Sequence, residues 1–114
     1  MTDLLFVYGS LRSDDGGPEA ARLAAGSSSL GPAHARGHLT QLHGQPALVV
    51  GRGGRVDGEL VHVTDRTLWD HLDAYEGVGE VGWYRRELVV VIDEAGHPRS
   101  AWAYTAAPSP LATD

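Results

Sequence analysis

Leu4-Leu5-Phe6-Val7-Tyr8-Gly9-Ser10-Leu11 is the stretch on which the fold turns. Leu4 to Tyr8 is an unbroken run of large apolar and β-preferring side chains, and it predicts a buried first strand. Gly9 and Ser10 end it. Beyond them, Gly16 to Ala25 carries the signals of a short helix, with Pro18 near its first turn and Gly26 as its stop. Gly26 to Pro32 (GSSSLGP) reads as a loop.

Strands are expected at His34–Leu42 and Ala47–Val50, separated by His43-Gly44-Gln45-Pro46. Gly51-Arg52-Gly53-Gly54 then reads as a hairpin turn into a strand from Arg55 to Val63. In that strand Leu60 falls on the face opposite Val61 and Val63, so either face is a candidate for burial. Thr64 or Asp65 can cap a helix over Arg66–Glu76. Leu68, Leu72 and Tyr75 fall at i, i+4 and i+7, with Trp69 beside them, on one apolar face. Gly77 ends the helix as a left-handed residue. Tyr84–Ile92 and Ser100–Thr105 form a last hairpin around Glu94–Pro98.

The order is strand, short helix, three strands, helix, two strands. Strands adjoining in sequence and joined by tight turns pair antiparallel, and at this size the sheet is expected to curl into a barrel with its helices outside. The fold class is therefore α+β: a small mixed, largely antiparallel β-barrel with flanking helices. Residues 1–105 make one domain, and 106–114, with two prolines and small residues, are expected to be a flexible tail.

Composition narrows the chemistry. The chain has 114 residues, no cysteine and no lysine, so all nine of its basic residues are arginine. Disulfides, thiolate nucleophiles, Schiff-base lysines and a phosphate-binding P-loop lysine are excluded together. A formal charge of −6, with no basic cluster larger than Arg85-Arg86, argues against a nucleic-acid partner. No apolar run approaches the roughly 20 residues of a membrane span. Met1-Thr2-Asp3 lacks the basic region of a signal peptide, and a cytoplasmic location is expected. The six histidines are scattered and form no H-E-x-x-H, so no metal is expected.

Three segments carry candidate chemistry. At Tyr8-Gly9-Ser10-Leu11, a strand breaking at glycine presents successive backbone N–H groups, which can cradle a carboxylate or an oxyanion. An ordinary strand-to-loop turn explains the same four residues. In Leu72-Asp73-Ala74-Tyr75-Glu76-Gly77, Glu76 sits at the negative end of its helix with Asp73 one turn back; both raise its proton affinity and suit it to proton transfer. A solvated glutamate before a helix-ending glycine is the plainer alternative. In Trp83-Tyr84-Arg85-Arg86-Glu87, Tyr84 can orient a ligand and Arg85 can meet an acid, or the strand simply pairs an arginine with a glutamate.

Taken in order, LLFVYGSLR (4–12), ARGHLTQL (35–42), QPALVVG (45–51), V-x-G-E-L (56–60), L-D-x-Y-E-G (72–77), Y-x-R (84–86) and the strand ending at Tyr104 resemble the gamma-glutamylcyclotransferase-like family. The shorter gamma-glutamylamine cyclotransferase branch is the most similar. The resemblance implies a lactam-forming reaction that releases 5-oxoproline and a free amine from a small-molecule γ-glutamyl substrate, with no cofactor. It carries the catalytic role to Glu76 and substrate binding to Tyr8, Gly9, Ser10, Leu11, Tyr84 and Tyr104. It is compatible with a monomer or a small homo-oligomer. Gly16-Gly17 and the alanine-rich helix depart from the pattern and offer no polar anchor for the leaving group. The competing expectation is a non-catalytic module that binds a small carboxylate on the same scaffold.

Overall fold

The computed structural model describes residues 2–8, 18–42, 44–78 and 84–106. Along them run β1 (Leu4–Val7), α1 (Pro18–Ala25), β2 (Ser27–Leu42), β3 (Gln45–Val63), α2 (Thr67–Glu76), β4 (Tyr84–Asp93) and β5 (Pro98–Ala106). The strands close into a barrel in the order β1-β3-β2-β4-β5. Successive neighbours are antiparallel. Closure is parallel, with Leu5 beside Trp102, and Leu48 also comes alongside Thr105. The expected α+β class and mixed barrel are what the chain forms.

Why both faces of β1 are apolar is now plain. Leu5 and Val7 pack outward with Val61, Val63 and Tyr104 beneath Leu23 of α1 and Leu68 and Leu72 of α2. Phe6 points the other way, into a barrel interior filled by Leu48, Leu60, Val89, Val91, Ala101 and Ala103. The same two-sided burial resolves the ambiguity in β3, because Leu60 fills the barrel while Val61 and Val63 lie under the helices. A strand covered on both sides shows no alternation, and its sequence is a continuous apolar run.

Gly58 marks where β3 passes closest to β1. A Cβ there would sit 2.2 Å from the Val7 carbonyl oxygen and 2.8 Å from the Phe6 ring. Just ahead of α2, the Asp65 carboxylate accepts the Thr67 N–H (3.0 Å) and hydroxyl (2.7 Å), but the N-cap position itself falls to Arg66, which makes no side-chain capping bond, and not to Thr64 or Asp65. Gly77, at φ 71°, ends the helix. Its N–H bonds to Ala74 and that of Val78 to Asp73, the paired closure of a glycine-terminated helix.

Three expectations are corrected. Ser27–Leu30 is strand, not loop: Ser27 pairs with Val63, Ser28 with His62 and Ser29 with Val61. Serines whose side chains face water give no apolar periodicity, so the backbone pairing was invisible. Gly51–Gly54 is not a hairpin turn. Gly37 pairs with Val50 and Arg36 with Arg55, so both arms of β3 run in one direction along β2 and the four residues loop out as a bulge. Gly54, at φ 111°, lies so near Gly37 that a Cβ would come within 2.3 Å of the Gly37 carbonyl oxygen. Tyr75, finally, does not join the apolar face of α2; it is 45% exposed. Ala106, assigned from the sequence to the tail, still belongs to β5, and the rest of that expectation, 107–114, lies outside the described residues. No helix among the described residues is long and apolar enough to cross a membrane.

Candidate functional site

The site is built where α2 lies over the barrel, with Tyr84 and Tyr104 in the core beneath the helix and Tyr8 packed against the core of the barrel interior. Glu76 is the last residue of α2 and is partly buried. Tyr8 follows β1, Tyr84 opens β4 and Tyr104 lies near the end of β5. Arg85 pairs with Thr105 and Arg86 with Tyr104 across β4 and β5, which brings the two strand tyrosines to the same end of the sheet. The negative charge of Glu76 acts on all three phenols, helping to keep each protonated. The structure thus brings together the expected Glu76, Tyr8, Tyr84 and Tyr104. Gly9, Ser10 and Leu11 lie outside the described residues.

Burial dominates the behaviour of these phenols. It raises the Tyr8 hydroxyl pKa well above that of free tyrosine, against the opposing hydrogen bond from the Leu48 N–H. Tyr84 is pushed up to about 12 by burial and then by Glu76. Tyr104 is raised furthest, by burial and by its hydrogen bond to the Asp73 carboxylate. All three are neutral at physiological pH.

Where their protons go is fixed by the partners. Tyr8 Oη donates to the Tyr104 carbonyl and accepts from the Leu48 N–H at 2.8 Å. Tyr84 Oη donates to the Pro46 carbonyl at 2.7 Å. Tyr104 Oη donates to Asp73 Oδ1 at 2.7 Å. A carbonyl can only accept and a backbone N–H can only donate, so each phenol has already used its one proton. What the three oxygens retain is lone pairs. Beside a carboxylate, such a cluster favours a cationic group such as an ammonium and has no donor to give an oxyanion.

Of the two readings of Arg85, the structure has the strand pair. Arg85 meets Glu87 of its own strand at 3.2 Å, in an exposed pair, which is the plainer of the two readings. Arg86, two residues from Tyr84 and so on the same face of β4, turns toward α2. Its Nε lies 3.4 Å from Asp73 Oδ1, and its guanidinium stands 4.8 Å from the Trp69 ring centroid and 5.1 Å from that of Trp102. Asp73, read from the sequence only as a like charge near Glu76, is instead held by Tyr104 and Arg86. The alternation of Tyr84 and Arg86, and the one-turn spacing of Asp73 and Glu76, were the available signals for this pair. Among the described residues no group of three or more His, Asp or Glu side chains is placed to hold a metal. The Thr105 hydroxyl is buried with no hydrogen-bond partner among the described residues.

Fold and site together define a small barrel protein with a carboxylate among phenols at the end of an outer helix. The chain belongs to the gamma-glutamyl cyclotransferase, AIG2-like family, whose sequence profile matches residues 5–114. Among solved structures, it is similar to an AIG2-like protein from Mus musculus, with 25% identity and a TM-score of 0.75 over 95% of this chain and 80% of that one. It is also similar to YkqA from Bacillus subtilis, with 27% identity and a TM-score of 0.72; there it covers 96% of its own length and only 37% of the other chain. A gamma-glutamyl cyclotransferase at 19% identity shares the fold, with a TM-score of 0.69 over 91% of this chain and 66% of that one. No curated protein matches the chain.

Proposed function

We propose that the chain is a cyclotransferase that converts a γ-glutamyl amine or γ-glutamyl amino acid into 5-oxoproline and the free amine, with Glu76 as general acid and base. The observation that carries this reading is that the charge of Glu76 reaches Tyr8, Tyr84 and Tyr104, three phenols whose remaining lone pairs suit an ammonium group. Family membership supports it independently.

The substrate's α-nitrogen attacks its own γ-carbonyl carbon. A five-membered ring closes, the new C–N bond forms, and the carbonyl electrons move to oxygen. Because both reacting groups belong to one molecule, holding them bent together supplies much of the acceleration. An α-amine has a pKa near 8, so at neutral pH most of it arrives protonated. The ammonium first gives up its extra proton to solvent; as the neutral amine attacks, the Glu76 carboxylate takes the proton that the nitrogen sheds on forming the new C–N bond and returns it to the leaving nitrogen as the original amide C–N bond breaks. The oxyanion needs N–H donors that the phenols lack. In this proposal they come from the backbone of Gly9, Ser10 and Leu11, the residues directly following Tyr8; one such donor is worth on the order of 3 kcal/mol.

The test is 5-oxoproline release from a panel of γ-glutamyl amines and γ-glutamyl amino acids. Glu76→Gln keeps the shape and removes the proton relay. General acid–base catalysis is typically worth roughly 10²–10⁴-fold, and kcat is expected to fall by that factor with thermal stability retained. Equal turnover in both proteins would reject Glu76 as the base. Ligand-induced stabilisation without turnover in the wild type would instead establish a binding module.

A further inference from the structure

We infer that Arg86 is a positioning residue that sets Glu76 by clamping the last turn of α2 to β4 and β5. The inference rests on Glu76 being the proton-transfer group. Apolar anchoring of α2 is concentrated early: Leu68 and Leu72 are its buried residues, whereas Ala74 and Tyr75 of the last turn are exposed. Val78, beyond the helix, packs only at the margin of the core. A polar hold on this turn is Asp73, three residues before Glu76. One of its oxygens, Oδ1, accepts from Tyr104 Oη at 2.7 Å and lies 3.4 Å from Arg86 Nε.

Arg86 is itself fixed. Its guanidinium lies between Trp69, which α2 contributes, and Trp102 of β5. Trp102 is held in turn by its indole N–H, which donates to the Thr2 carbonyl at 3.1 Å. A planar cation between two rings, with one edge turned to a carboxylate, is a fit that lysine's compact ammonium does not reproduce. The clamp therefore joins three elements, α2 through Trp69 and Asp73, β4 through Arg86, and β5 through Trp102 and Tyr104. Small errors in where a proton-transfer group stands cost large factors in rate, which makes such a clamp part of the reaction.

The experiment compares wild type, Arg86→Gln, Arg86→Lys and Arg85→Gln by two readouts. In hydrogen exchange, Arg86→Gln is expected to accelerate the amides of residues 74–78 by tenfold or more, with those of the first turns of α2 unchanged. In turnover, kcat is expected to fall by roughly 10- to 100-fold with KM within about twofold. Arg86→Lys should recover only part of either effect, and Arg85→Gln should match the wild type. Uniform acceleration along α2, or no change in its last turn, would overturn the inference, as would a fall in melting temperature with kcat unaltered. A wild type that releases no 5-oxoproline would sink the proposed reaction, and the exchange data would still decide whether Arg86 clamps the helix.

Discussion

Raising the pH from 9 to 12 should unfold this protein through its tyrosines alone. The chain has no lysine and no cysteine. Its α-amine titrates near 8 and its arginines above 12, so phenols are the side chains that ionise in this window. Of the four tyrosines, Tyr8, Tyr84 and Tyr104 have folded pKa values raised above 10, chiefly by burial. Above pH 10 the unfolded chain releases these protons while the folded chain keeps them, so stability present below pH 10 is lost as pH rises. Each retained proton contributes about 1.4 kcal/mol per pH unit, giving about 4 kcal/mol per unit for three. Discounting Tyr84 for solvent screening leaves about 3–4 kcal/mol per unit. Two units then remove roughly 6–8 kcal/mol, comparable to the whole stability of a typical domain. The assay follows tyrosinate absorbance and circular dichroism in parallel: three phenols should ionise in step with loss of structure, in one steep transition between pH 11 and 12. Tyr8→Phe should flatten the slope by about a third. Phenols that all ionise near pH 10 while the dichroism stays native would refute the buried network.

Two further substitutions probe the barrel. Thr105→Val replaces a hydroxyl that has no hydrogen-bond partner among the described residues with a methyl of the same shape, and chemical denaturation should show a gain of about 1 kcal/mol; a loss of that size would mean the hydroxyl has a partner. Gly58→Ala drives a Cβ to 2.2 Å from the Val7 carbonyl oxygen, and a cost of about 2–3 kcal/mol is expected by the same measurement; a neutral substitution would mean that β1 and β3 are not in such close contact.

What the sequence revealed of the fold depended on how each segment is buried. Leu4–Val7 announced itself because both faces are covered, and Thr67–Glu76 because Asp65, Leu68, Leu72 and Gly77 mark its start, face and end. Ser27–Leu30 hid because a strand whose side chains face water is held by backbone bonds that any residue can make. Gly51–Gly54 misled for a related reason. Four glycine-rich residues between two strand-like runs look alike whether the second run folds back on the first or continues past a bulge. Only the partner strand decides, and that partner, Arg36–Gly37, lies 14 or more residues away.

The site was legible one residue type at a time, and the missing part was the chemistry that joins them. Glu76 and the tyrosines stood out through motif and resemblance. Asp73 and Arg86 stood out less: spacing put each beside a candidate residue on its own element, but nothing in the sequence pairs a residue of the helix with one of the strand. Reasoning from α2 alone saw Asp73 only as a like charge near Glu76 and not its partners on the strands. With Tyr104 and Arg86 on the same oxygen, Asp73 is a ligand for other parts of the barrel, and its charge is spent on them. The consequence reaches the substrate. Because Tyr104 gives its proton to Asp73, and Tyr8 and Tyr84 give theirs to backbone carbonyls, the phenols meet whatever enters as acceptors. An ammonium-bearing substrate gains from that arrangement, and a substrate acylated on its α-nitrogen loses both the charge and the nucleophile. An N-acetylated γ-glutamyl amine should therefore neither turn over nor compete with the free amine at equal concentration. Competition with full strength would show that the phenols do not select for the cation.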